Sequence, residues 1–153
     1  MTTTLLIFHM LVTVLLIGAL THQTLAIWWP VAAGPRSFFG SFRAVRAGSY
    51  TNAVIVLYVT AAIAGALLYP DYRLDVRTFL EATRMKAANG AFEIKEHFAA
   101  LGLGMLPIYW LYWRKSATEY VGSRRAITLM LAFTVWWNFI VGHLLNNIRG
   151  FGI

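Results

Sequence analysis

Histidine is the only residue type in this chain whose number and placement suggest a haem or metal site. The four histidines are His9, His22, His97 and His143, and cysteine is absent. An imidazole binds haem iron through a ring nitrogen, whereas covalent haem attachment and thiolate metal sites both need cysteine. Any haem in this protein is therefore expected to be a non-covalently held haem b.

Long apolar segments carry these histidines. Of the 153 residues, 59% are hydrophobic and 12% are charged, against a charged fraction of about 25% in an ordinary soluble domain. The mean hydropathy is +0.62. The apolar segments predict membrane-spanning helices at about 5–27, 51–69, 93–113 and 126–145. We therefore predict an all-α fold, a single transmembrane domain over 1–153 built as a bundle of four helices.

Proline and turn residues mark the ends of these segments. The first segment ends at Trp28-Trp29-Pro30, and the second is expected to stop at Pro70. Between the second and third segments, residues 70–92 carry charges of alternating sign. They predict a polar loop or a short surface helix at about Val76–Ala88, followed by a turn at Asn89-Gly90.

Loop charges predict the orientation in the membrane. Four spans place both termini and residues 70–92 on one face, called side A here, and the other two loops on side B. Side B carries seven basic residues and side A five. The side-B residues are Arg36, Arg43, Arg46, Arg114, Lys115, Arg124 and Arg125. Because cytoplasmic loops are enriched in Lys and Arg, both termini are predicted to be non-cytoplasmic, in a bacterial inner membrane.

The net charge of +7 is explained by these loops, so no nucleic-acid partner is expected. No Lys or Arg precedes the first apolar segment. A secretory signal peptide has a basic region there, so this segment is interpreted as a retained helix.

Three histidines are predicted to lie at similar depth. His9 is near the start of the first span, His97 near the start of the third and His143 near the end of the fourth. Since neighbouring spans run antiparallel, all three fall toward side A, while His22 falls toward side B. A six-coordinate haem needs two histidines on facing helices at matched depth. The first-choice ligands are His97 and His143, with His9 as the substitute.

The neighbours of these histidines suit a porphyrin. Trp136 and Phe139 share a helix face with His143, and Gly104 lies two turns after His97. Arginines of the side-A segment could pair with haem propionates. The same residues also fit ordinary helix packing around interfacial histidines, and that interpretation stays open.

A copper or zinc site is a second interpretation of the same histidines. Three imidazoles together with Glu93 or Glu96 would supply enough ligands. Both carboxylates also suit the first turn of a helix, where they interact favourably with the helix dipole.

Other polar residues allow further interpretations. Asn138 is expected to form a hydrogen bond between helices. Tyr69, Tyr72 and Arg73 could form part of a quinone or partner site, or an interfacial aromatic belt. The chain could also be a non-catalytic accessory subunit of a larger membrane complex, docking through residues 70–92.

The first span resembles the opening helix of the HemJ and CopD group of small membrane proteins. The resemblance rests on Phe8-His9-Met10-Leu11 followed by Leu16-Ile17-Gly18-Ala19-Leu20. That group includes a protoporphyrinogen oxidase with haem b and copper-resistance proteins. The resemblance implies a haem-ligand role for His9, and haem-dependent oxidation of a porphyrinogen as one activity.

The expected function is that of a b-type cytochrome that passes electrons, for example from quinol to a periplasmic redox protein. No nucleophile elbow, P-loop or dinucleotide fingerprint is present in the sequence. Whether the protein is an enzyme is left open at this stage. The expected partners are the lipid bilayer, a quinone or redox protein, and other membrane subunits or further copies of the chain.

Overall fold

The computed structural model describes residues 2–29, 46–115 and 118–150, and within these ranges it is helical with no strand. The helices are α1 (Thr2–Trp28), α2 (Thr51–Asp71), α3 (Arg77–Ala82), α4 (Lys86–Arg114) and α5 (Val121–Gly150). A 3-10 turn at Ala47–Tyr50 leads into α2, and a π-helical turn at Tyr72–Val76 joins α2 to α3. The all-α class is confirmed. The predicted features at Pro30, Arg36 and Arg43 lie outside the described residues.

Within the described residues, three stretches are long and apolar enough to cross a membrane. They are Thr3–Trp28, Ala47–Ala82 and Val121–Asn147, and they contain three of the four predicted spans. The remaining predicted span, 93–113, lies inside α4, which does not reach the same apolarity. Glu93, Lys95 and Glu96 lower the hydropathy of its first half.

Contacts between the long helices join them in the cyclic order α1, α2, α4, α5 and back to α1, each helix antiparallel to its two neighbours. Two contacts at each interface show this. Between α1 and α2 they are Gln23 with Ala47 and His9 with Gly65, and between α2 and α4 they are Tyr58 with Ala99 and Tyr72 with Phe92. Between α4 and α5 they are Trp113 with Thr128 and Lys95 with Gly142, and between α5 and α1 they are Trp136 with Thr21 and Arg125 with Ile27. This is the up-down-up-down arrangement of a four-helix bundle.

Apolar residues lie on both the inner and the outer faces of the bundle. Leu20, Val54 and Leu131 are fully buried at its centre, whereas Leu15 and Val56 are 61% and 63% exposed. A soluble helix would carry polar residues on its outer face. An apolar outer face is what a lipid environment requires, in agreement with the predicted membrane protein.

The prediction that the second helix stops at Pro70 is wrong. Pro70 lies inside α2, although proline lacks the amide hydrogen for an ordinary helical bond. The next turn is wider, because the Arg77 N–H donates to the Tyr72 carbonyl five residues earlier. Such π-turns let a helix continue past a local disturbance, and the chain stays helical to Ala82.

The predicted turn at Asn89-Gly90 is also wrong, because both residues lie inside α4. The chain instead reverses direction at Thr83–Met85, so the predicted surface helix over Val76–Ala88 ends early. Arg84 has a φ of 59°. The Met85 N–H donates to the Leu80 carbonyl at 2.8 Å and the Arg84 N–H to the Glu81 carbonyl at 3.1 Å. This pair of bonds is a Schellman motif, which glycine usually closes.

Candidate functional site

His9 is the predicted ligand that the fold places inside the bundle. Its ring is half-buried and faces Gly65 of α2, where an added Cβ would lie 3.4 Å from His9 Cε1. Among the described residues, the buried Nδ1 of the ring has no hydrogen-bond partner. An imidazole binds a metal through a ring nitrogen that forms no other hydrogen bond.

Lys95 of α4 brings a positive charge to the same end of the bundle. Its Cε is 3.4 Å from the position of an added Cβ on Gly142 of α5, and its ammonium nitrogen is 4.7 Å from the Phe92 ring centre. Among the described residues, no carboxylate lies within 4.0 Å of this half-buried ammonium.

Asn138 is a further polar side chain within an apolar span, on α5. Asn138 lies one turn before Gly142 on the same face of α5. Its amide nitrogen donates to the Thr134 carbonyl at 2.7 Å, so this bond lies within one helix rather than between helices as expected. The Asn138 amide oxygen is buried without a partner.

His97 and His143 are both exposed. His97 Nδ1 lies 2.7 Å from the Glu93 carbonyl oxygen of its own helix, which orients the ring and leaves Nε2 available. The His143 ring packs against Phe139, with ring centres 6.2 Å apart and planes 11° apart. The contact between His143 and Phe139 follows the predicted shared face.

The described residues do not contain a compact metal centre. Within residues 2–29, 46–115 and 118–150, no three His, Asp or Glu side chains come together closely enough to hold one metal ion. Three imidazoles joined by Glu93 or Glu96, as the copper or zinc interpretation requires, are therefore not assembled in that part of the chain.

A cavity of about 250 Å³, called the side-A cleft here, opens where α2, the π-turn and α4 meet. It is lined by Tyr69, Tyr72, Arg77, Asn89, Phe92, Glu93, Glu96 and His97. The Tyr72 and Phe92 rings are parallel within 8°, with centres 3.3 Å apart, and Tyr69 lies 6.3 Å from Tyr72. The Tyr72 hydroxyl donates to the Asn89 amide oxygen at 3.1 Å.

Ionic contacts hold α3 against this cleft. Arg77 pairs with Glu81 at 2.8 Å and approaches Glu93 of α4 at 3.9 Å. Part of the charge alternation in residues 70–92 therefore serves contacts within the chain. The approach of Arg77 to Glu93 was not visible in the sequence, because it depends on the reversal of the chain before α4.

A buried hydrogen-bond network lies at the opposite end of the bundle. Gln23 and Tyr109 are both fully buried, and the Tyr109 hydroxyl donates to Gln23 Oε1 at 2.5 Å. The Gln23 amide nitrogen donates to the Ala47 carbonyl at 3.1 Å and approaches the Thr51 hydroxyl at 3.5 Å. A glutamine within an apolar span was the signal that could have revealed this network.

Arg124 and Arg125, counted in the sequence as loop charges, bind helix ends. Arg124 donates to the Tyr112 and Lys115 carbonyls at 2.9 and 3.0 Å, and Arg125 donates to the Ile27 carbonyl at 3.2 Å. The last carbonyl groups of a helix lack partners within the helix. The two arginines therefore tie the ends of α4 and α1 to α5.

Comparisons with known proteins give no assignment for this chain. No protein-family model matches it, and neither does any characterised protein or solved structure. The resemblance of residues 8–20 to the HemJ and CopD group therefore stays a prediction. Function has to be argued from the geometry.

Proposed function

We propose that this protein is a four-span membrane protein that holds one haem b near side A and takes part in electron transfer. Three apolar stretches of spanning length support the membrane location. The fourth span is assigned to α4 because it packs between α2 and α5, through Tyr58 and Trp113 among others. A helix held between two spanning helices is expected to cross the membrane with them.

The observation that carries the haem proposal is the buried His9 Nδ1 without a hydrogen-bond partner. Leaving such a group unsatisfied in an apolar interior costs about 1–3 kcal/mol. An ionisable group inside a membrane span is a functional candidate for this reason. An imidazole whose buried nitrogen lacks a hydrogen-bond partner among the described residues suits an axial haem ligand.

Lys95 is suited to bind a propionate group of the haem. Its ammonium has no carboxylate partner within 4.0 Å among the described residues, and a propionate would supply one. Gly65 and Gly142, which face His9 and Lys95, keep this level of the bundle free of larger side chains. Haem, when bound, supplies reversible one-electron chemistry.

The second axial position is assigned to His97 or His143, which stay predicted ligands. His97 has its Nδ1 beside the Glu93 carbonyl, so its Nε2 is the free nitrogen. His143 has Phe139 stacked on its ring. His97 lies on α4 two residues after Lys95, and His143 follows Gly142, which Lys95 faces from α4. Both positions agree with a site at this end of the bundle.

The loop charges support placement of side A on the non-cytoplasmic face of a bacterial inner membrane. Electrons would then pass to an acceptor on that face. A reporter enzyme that is active only outside the cytoplasm, fused after residue 153, tests the side of the membrane. We expect this fusion to be active.

An absorption spectrum of the purified protein, oxidised and then reduced with dithionite, tests the haem proposal. We expect a sharp Soret band that shifts on reduction, with resolved α and β bands. His9→Ala should lower the haem content at least about tenfold. His22→Ala is the matched control, because His22 lies near the other end of α1 and contacts Tyr50.

A His9→Ala protein that keeps its full haem content would contradict the ligand assignment. A featureless spectrum from protein made with ample haem would remove the cytochrome proposal altogether. The accessory-subunit interpretation would then lead. If His9 is confirmed, a change from a low-spin to a high-spin spectrum in either His97→Ala or His143→Ala would identify the second ligand.

A further inference from the structure

The side-A cleft combines an aromatic wall with hydrogen-bond acceptors. Tyr69, Tyr72 and Phe92 form the wall, with ring planes within 27° of each other. Two cations flank it, since Arg73 lies 5.9 Å from the Tyr69 ring centre and Lys95 4.7 Å from that of Phe92. A wall of nearly parallel rings favours a flat ligand.

The acceptors lie on α4 beside that wall. Glu96 lines the cleft and forms no ion pair within 4.0 Å among the described residues. His97 lines it too, and its Nδ1 is already engaged by the Glu93 carbonyl. The Glu96 carboxylate and His97 Nε2 can therefore accept hydrogen bonds from a ligand that carries hydroxyl groups.

The charged residues that line the cleft also limit the net charge of a ligand. Arg77 lines the cleft and disfavours a cationic ligand, while Glu93 and Glu96 disfavour an anionic one. An uncharged ligand with hydroxyl donors fits both conditions. The volume of about 250 Å³ lies below the range of about 300–1,000 Å³ that holds a drug-sized molecule, so one or two aromatic rings are the suitable size.

The position of the cleft favours a ligand that reaches it from lipid. It lies at the end of α2, and the apolar outer surface of that helix, such as Leu67 at 62% exposure, continues from it. A hydrocarbon tail can lie along that surface while the head group enters the cleft.

We propose that the side-A cleft binds the head group of a lipid-soluble hydroquinone. The ring extends the stack that Tyr72 and Phe92 form with each other. Its hydroxyl groups donate to the Glu96 carboxylate and to His97 Nε2, which leaves His143 as the second axial ligand in the haem proposal. The role of this ligand as an electron donor rests on the proposed function, whereas its binding does not require haem.

Photo-crosslinking of the full chain in nanodiscs tests the proposal. The probe is an azido-benzoquinone with a decyl chain, reduced before use, and the labelled peptides are mapped by mass spectrometry. We expect labelling within residues 69–97 that decyl-ubiquinol competes away. Phe92→Leu and Glu96→Gln should each raise the competitor concentration for half-maximal protection about tenfold.

Phe98→Leu is the matched control, because Phe98 lies on the same helix but packs against Phe133 and Trp137 outside the cleft. It should change the half-maximal concentration less than about twofold. Labelling spread evenly over all helices, or equal effects of Phe92→Leu and Phe98→Leu, would overturn the site. Since Glu96→Gln alters no packed ring, it keeps the test decisive if Phe92→Leu fails to fold.

Performing the experiment on protein made with and without haem separates the two proposals. Cleft labelling in a protein that binds no haem supports the hydroquinone site and removes the cytochrome proposal. A haem-loaded protein without competed labelling in the cleft overturns the hydroquinone site and leaves the haem proposal standing.

Discussion

Replacement of Tyr109 by phenylalanine removes a single hydroxyl group from the inside of the bundle. That hydroxyl donates to Gln23 Oε1 at 2.5 Å, and both residues are fully buried. The aromatic ring is retained, so packing against the neighbouring core changes little. The Gln23 oxygen loses its donor while its amide nitrogen stays engaged by Ala47, so the side chain cannot turn freely toward another partner.

The size of the loss follows from the burial of this pair. Hydrogen bonds between membrane helices average about 0.6 kcal/mol and reach about 1.7 kcal/mol. A buried acceptor left without a partner costs about 1–3 kcal/mol. Because Gln23 is fully buried and held at its other end, we expect a decrease of about 1.5 kcal/mol in the free energy of unfolding.

Equilibrium unfolding in mixed micelles, with SDS as denaturant and circular dichroism as readout, measures this quantity. Tyr120→Phe is the control, since Tyr120 is 43% exposed, and it should change stability by less than about 0.5 kcal/mol. A double-mutant cycle with Gln23→Leu isolates the pair. Equal losses in Tyr109→Phe and Tyr120→Phe, or additive effects in the cycle, would refute the proposed coupling.

Two further predictions concern packing and helix ends. Gly102→Ala should destabilise the protein by about 1–3 kcal/mol, because an added Cβ would overlap the Tyr58 hydroxyl. Gly104→Ala, where nothing lies within 4 Å, should be neutral or stabilising in the same unfolding assay, and a similar loss in both variants would refute the close approach. Arg124→Gln should cost about 1–3 kcal/mol, because the last carbonyls of α4 lose their donors. Arg114→Gln is its control, since Arg114 only packs over an aromatic ring, and thermal melting in detergent that does not distinguish the two variants would contradict the capping role.

The spans themselves were predictable from the sequence. The predicted limits of 5–27, 51–69 and 126–145 lie inside α1, α2 and α5. A run of apolar residues long enough to cross a bilayer is a local property, and it does not depend on which residues it later contacts.

The connection between α2 and α4 was not predictable. Proline and the Asn89-Gly90 pair usually interrupt helices, yet both lie inside helices here. The reversal uses Arg84 in a left-handed conformation, a position at which glycine is expected. Contacts such as the hydrogen bond from Tyr72 to Asn89 form only once α4 has folded back along α2, so no local sequence pattern predicts them.

The candidate site was likewise only partly predictable from the sequence. The sequence predicts that His9, His97 and His143 lie toward one end of the bundle, because position along a span and the alternation of antiparallel helices set that level. It could not determine which histidine faces inward, since lipid makes both faces of each helix apolar and removes the periodic pattern that marks the core side of a soluble helix. Only the rotation of each helix in the bundle places His9 half-buried against Gly65 and leaves His97 and His143 exposed.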